Sequence, residues 1–109
     1  MDASEYQILA ARTISCKTKS DMTAHALHGM SGETGELHSI YQKVYQGHSF
    51  DISHAIKEVG DLLWFIAEWC SSYGLDLSDI MELNIEKLKA RYPDGFSADR
   101  SLHRAEGDI

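Results

Sequence analysis

Proline occurs once and cysteine twice in this chain of 109 residues, and no apolar run approaches the length of a membrane span. With Pro93 the sole proline, nothing before it breaks helices by ring geometry or a missing N–H. Cys16 and Cys70 stand far apart without metal-like spacing, which excludes a disulfide framework and reads them as reduced thiols serving as small apolar side chains. Basic residues are also scarce: 10 Lys and Arg against 17 Asp and Glu give a formal charge of −7. Such a balance excludes a nucleic-acid backbone or an anionic membrane as partner, since either needs a basic face. No basic-plus-apolar leader opens the sequence, so a soluble, cytoplasmic protein is expected.

What is present is helical punctuation and helical periodicity. Asp2 to Cys16 carries apolar residues at Tyr6, Leu9, Ala10 and Ile14, a short helix able to pack on a larger bundle. Asp21 is placed to cap a long second helix ending near Gln46 and Gly47, with Leu27, Met30, Leu37, Tyr41 and Val44 as its apolar stripe. Asp51 is the expected N-cap of a third helix that Gly74 ends, and Asp76 with Asp79 opens a fourth that Pro93 stops. That fourth helix has Ile80, Met81, Ile85 and Leu88 as its apolar positions. Residues 93–109 show a Pro-Asp-Gly turn and little periodicity, so they are expected to form an irregular tail. The whole, residues 1–109, reads as one all-α domain, a bundle of four to five helices.

The third helix is the most apolar. Val59, Leu62, Leu63, Phe65, Ile66, Trp69 and Cys70 cover more than half its circumference, so it should be buried from more than one side, more than four helices of this size can cover. Glu58 falls inside that arc and Asp61 at its edge, where an ionised carboxylate needs a cationic partner.

Acids recur at i, i+3 spacing twice: Glu33 with Glu36, and Glu58 with Asp61. Each pair lies on one side of its helix. Counted from the turn near His48, the pairs sit roughly 21 and 17 Å along two antiparallel helices, so they face each other at nearly one level. Four carboxylates so gathered repel, by about 4 kcal/mol per close pair at an effective dielectric near 20. Hard divalent cations turn that liability into an oxygen-only site of the kind Mg²⁺ or Mn²⁺ prefers. The alternative is two solvated acidic faces, which is what a single such pair usually forms. Gly32, Gly35 and Gly60 beside the acids suggest close approach of another backbone or of a ligand.

The blocks GETGEL (Gly32 to Leu37), KEVGDLLWFIA (Lys57 to Ala67) and NIEKLKARYPDGF (Asn84 to Phe96), with 21 residues from Leu37 to Lys57, resemble the MazG-like nucleotide pyrophosphohydrolases of the all-α NTP pyrophosphohydrolase superfamily. The resemblance implies hydrolysis of a (deoxy)nucleoside triphosphate to the monophosphate and pyrophosphate. It implies Mg²⁺ held by Glu33, Glu36, Glu58 and Asp61, one of the glutamates activating water. Asn84, Lys87 and Arg91, on one arc of the fourth helix, are then the substrate-binding set. Lys43, Arg100 and Arg104 are weaker phosphate candidates. The resemblance also implies a homodimer or homotetramer whose site is completed by a second subunit.

Other assignments compete. A ferritin-like di-iron bundle wants Glu-x-x-His pairs, and both pairs here are acidic at both positions. A non-catalytic oligomerisation or regulatory module would keep the bundle but has no need of the acids, Asn84 and Lys87. Trp64, off the main arc, suits packing better than stacking on a base. His25 and His28, at i, i+3, make a weak zinc site because neither cysteine nor acid stands near them in sequence.

Overall fold

Each helix begins where a short polar side chain can take its free N–H groups. The computed structural model describes residues 1–109 and contains five helices: α1 (Ala3–Ala11), α2 (Lys19–Tyr45), α3 (Ile52–Ser72), α4 (Leu77–Arg91) and α5 (Ala98–Leu102). Asp2 and Glu5 form a reciprocal capping box on α1. Asp51 accepts from the His54 N–H at the start of α3, and Asp76 from the Ser78 N–H at the start of α4. Gly47 and Gly74, at φ 94° and 66°, carry the chain out of α2 and α3 through the left-handed region.

Three boundaries differ from expectation. The cap of α2 is Thr18, whose hydroxyl accepts from the Asp21 N–H at 3.1 Å, so Asp21 lies within the first turn rather than before it. Helix α1 ends at Ala11, not near Cys16, because the Ala10 carbonyl and the Thr13 hydroxyl both accept from the Trp64 indole N–H, at 3.1 and 2.9 Å. Beyond the helix only tight turn bonds remain, as from the Thr13 and Ile14 N–H groups to the Ala10 and Ala11 carbonyls. The tail is not wholly irregular: Ser97 caps the five-residue α5, which folds it back.

Helices α2 and α3 form an extended antiparallel pair, and α1 packs on α3 and on α4. The seam of α2 runs through Ala26, Gly29, Met30, Glu33, Leu37 and Ile40, all buried or half-buried, while the expected stripe residues Leu27, Tyr41 and Val44 are exposed. A Cβ at Gly29 would overlap the Phe65 ring, so glycine there sets how closely the pair approaches. The facing seam of α3 is Ala55, Glu58, Leu62 and Phe65. Gln7 secures α1 to the α3–α4 turn, donating to the Leu75 carbonyl and accepting from the Leu77 N–H, both at 2.8 Å.

The core is small: Ala10, Ala67, Cys70 and Leu77, with Tyr6, Trp64, Ile66, Trp69 and Ile80 packed around it. Trp64 is therefore a packing residue, edge-on to Phe65. Beyond Ile80 the body of α4 stands clear, with Met81, Leu83, Ile85 and Leu88 exposed. On α3, Ile56, Val59 and Leu63 are exposed as well, so the apolar arc is only partly covered within one chain. The radius of gyration, 17.2 Å, exceeds the roughly 13 Å of a compact chain this long. No helix is long and apolar enough to cross a membrane.

Candidate metal centre

The two seams carry one acid each, and these acids meet. Glu33 occupies the α2 seam one turn from Gly29, and Glu58 the α3 seam one turn from Leu62. With Asp61, a turn farther along α3, they place one carboxylate oxygen apiece within 4.8 Å of one another. Glu36, the other acid of the first pair, is exposed and outside this trio, because its position on α2 faces away from the seam. Its charge still reaches Glu33 and adds to the repulsion there.

The electrostatics are those of acids crowded without a cation. Glu33 is pushed up to about 7, first by a hydrogen bond that its protonated form makes to Glu58, then by burial and by the charges of Glu58, Asp61 and Glu36. Glu58 is held below the usual carboxylate range, first by accepting that bond and further by His54. The pair thus shares a proton in the manner of carboxyl dyads. His54 Nε2 lies 2.9 Å from Glu58 Oε1, one helical turn away, and orients it. This positioning role was visible in the sequence only as an i, i+4 His–Glu spacing.

A hard divalent cation fits these residues on two counts. The donor set is all oxygen and anionic. In addition Glu33 Oε2 is buried with no hydrogen-bond partner, an orphaned acceptor that coordination would satisfy. Gly32, Gly35 and Gly60 face open space, with nothing of this chain within 4 Å of a Cβ at any of them. No backbone of this chain approaches them, so the space beside the acids is open to a ligand or a neighbour.

The basic residues gather elsewhere. Lys87 and Arg91 of α4 line a cavity of about 330 Å³ together with Arg100, His103 and Arg104, which the folded-back tail supplies. Arg100 and Arg104, weak candidates by sequence, thus join the stronger ones, while Lys43 lies by the α2–α3 turn with His48 and His54. Arg91 is already engaged: its Nε and Nη2 donate to the two oxygens of Asp108 at 2.8 and 2.7 Å. Asn84 is exposed on α4 and makes no side-chain hydrogen bond within the chain. None of the clustered acids lines the basic cavity.

Compared with known proteins, residues 23–96 match the family model described as MazG nucleotide pyrophosphohydrolase domain. That span includes both acid pairs and the Asn84 to Phe96 block, and excludes α1, Cys16 and α5. No curated protein and no solved structure matches the chain.

Proposed function

The chain belongs to the MazG nucleotide pyrophosphohydrolase family, and from that premise we propose that it hydrolyses a (deoxy)nucleoside triphosphate to the monophosphate and pyrophosphate in a Mg²⁺-dependent reaction. The observation that carries this reading is the convergence of Glu33, Glu58 and Asp61 around an unpartnered carboxylate oxygen. Glu33, Glu58 and Asp61 hold the metal, with Glu36 beside them available to a second ion or to bound water.

Bound Mg²⁺ supplies charge neutralisation of the phosphates and a lowered pKa for coordinated water. The protein's residues do the rest. A carboxylate of the cluster orients the attacking water and accepts its proton as the oxygen bonds to the α-phosphorus. The bond from that phosphorus to the bridging oxygen breaks, and pyrophosphate leaves with the electron pair. His54 keeps Glu58 in its seam-facing position. Lys87 and Arg91 bind the β and γ phosphates, and Asn84 a phosphate or sugar oxygen.

The basic residues and the acids lie apart within one chain, and the apolar faces of α3 and α4 are uncovered. A homodimer or homotetramer covers them and brings α4 of one subunit to the acids of another. Sedimentation should therefore give at least twice the 12.2 kDa chain mass; a monomer at micromolar concentration contradicts this arrangement.

Pyrophosphate release from a panel of ribo- and deoxynucleoside triphosphates with Mg²⁺ tests the activity. Turnover of at least one member, abolished in Asp61→Asn, is the expected result. A folded protein that releases none from any nucleotide overturns the proposal and favours a non-catalytic module.

A further inference from the structure

The most deeply buried charge in the chain belongs neither to the acid pairs nor to the basic cavity. Glu68, on α3, is 1% exposed. Its Oε1 lies 2.7 Å from Nδ1 of His25 on α2, and its Oε2 is buried with no hydrogen-bond partner at all. Cys16, in the connection between α1 and α2, completes the group: one ligand atom from each of Cys16, His25 and Glu68 lies within 4.8 Å of the other two. These three come from three separate segments, which is why no spacing in the sequence announces them. His25 was paired in the sequence with His28, and Cys16 with nothing; folding gives His25 a thiol and a carboxylate instead.

We propose that Cys16, His25 and Glu68 form a second metal site, selective for Zn²⁺ over Mg²⁺ and distinct from the acid cluster. The donor set decides the class. Sulfur, imidazole nitrogen and carboxylate oxygen are the ligands of zinc and its soft-leaning neighbours, whereas magnesium takes oxygen alone. Thiolate and carboxylate together neutralise the ion's charge, which a half-buried site requires. The ion bonds His25 Nδ1 and the carboxylate through its unpartnered Oε2, and the imidazole proton that stood on Nδ1 passes through solvent to Nε2. The Cys16 thiol loses its proton to solvent.

A histidine–glutamate pair alone leaves the second carboxylate oxygen desolvated and unbonded, which is unfavourable. A metal removes that defect. Tetrahedral zinc holds its ligands roughly 3.4–3.6 Å apart, within the 4.8 Å span these atoms already meet; the 2.7 Å contact of His25 with Glu68 must open as the ion enters, and Cys16 must shift to meet it. The loop position of Cys16 allows this movement, because Thr13 anchors the loop on Trp64 while Cys16 itself lies outside any helix. The ring of His25 is held from the other side by Trp64 and Phe65, at centroid distances of 6.2 and 5.5 Å. The His25 side chain is 47% exposed, which gives the ion an entry path and leaves room for a water as fourth ligand. Bound there, the ion fastens the α1–α2 connection and α2 to α3.

Cobalt(II) titration of the metal-free protein under anaerobic conditions, with excess Mg²⁺ present to occupy the oxygen-only centre, tests this directly. The expected result is one equivalent of Co²⁺ giving a thiolate-to-metal charge-transfer band in the near ultraviolet, displaced by Zn²⁺. The band is lost in Cys16→Ser and retained in Asp61→Asn. Zn²⁺ raises the thermal midpoint of the wild type and not that of Cys16→Ser. Cys16 lies outside the helices, so unchanged helical circular dichroism in Cys16→Ser establishes that the loss is not unfolding. Absence of the band in the folded wild type overturns the proposal, as does a band of full intensity in Cys16→Ser, which would place the sulfur ligand at Cys70.

Discussion

Glu33 and Glu58 bring their carboxyl groups together across the α2–α3 seam, and the closeness of Glu58 pushes Glu33 up to about 7 while Glu58 itself is held low. The folded chain holds this proton to higher pH than the unfolded one, a contribution to stability fully present below the ordinary glutamate pKa. That contribution fades as pH rises through about 7. Glu58, held low, acts in the opposite sense but only at more acid pH. The metal-free protein should therefore lose thermal stability between about pH 5 and 8. Mg²⁺ displaces the shared proton, so its stabilising effect should be larger at pH 8 than at pH 5.5. Differential scanning fluorimetry with and without Mg²⁺ checks both; an equal Mg²⁺ shift at the two pH values contradicts the shared-proton centre.

Loss of a cluster carboxylate should be far more costly than loss of its support. Glu58→Gln is expected to lower kcat/KM at least about a hundredfold, since outer partners of metal sites alone are worth 10–100-fold. His54→Ala should fall by about tenfold, through misorientation of Glu58, with partial recovery at raised Mg²⁺. Steady-state kinetics over a Mg²⁺ titration separates the two.

Gly29 and Gly32 sit one turn apart on α2 but should respond oppositely to alanine. Gly29→Ala drives a methyl into the Phe65 ring and should destabilise by about 1–3 kcal/mol. Gly32→Ala meets open space and should stabilise by about 0.5–1 kcal/mol through helix propensity. Urea denaturation midpoints give both signs.

Asp108 occupies the Arg91 guanidinium with both carboxylate oxygens. If Lys87 and Arg91 bind the substrate's phosphates, Asp108→Asn should lower KM by about two- to fivefold with kcat little changed, and the difference should shrink at high salt. An unchanged KM would remove Arg91 from the phosphate site.

The helices were legible because Asp51, Asp76, Gly47 and Gly74 punctuate them by local chemistry alone. The seam of α2 was legible only at Met30 and Leu37. Leu27, Tyr41 and Val44 are as apolar as any core residue, yet the face turned to α3 is the one carrying Ala26, Gly29 and Ile40, where small residues let the helices close. The same register explains why Glu33 enters the acid cluster and Glu36 does not, a distinction that i, i+3 spacing cannot make. Glu68 was visible as an acid within the most apolar run, but its partners come from the α1–α2 connection and from α2. Only the folded chain brings Cys16 and His25 to it. The tail's return to Arg91 was hidden for a similar reason, since the five residues of α5 are too few to show a period.

The central claim is attack on the α-phosphorus at a Mg²⁺ centre built from Glu33, Glu58 and Asp61. Hydrolysis of the preferred nucleoside triphosphate in ¹⁸O-enriched water, with mass spectrometry of both products, tests it most directly. The account predicts one ¹⁸O atom in the nucleoside monophosphate, unlabelled pyrophosphate, and no turnover by Glu58→Gln. Label in the pyrophosphate would place the attack at the β-phosphorus, and release of orthophosphate with a nucleoside diphosphate would place it at the γ-phosphorus; either contradicts it.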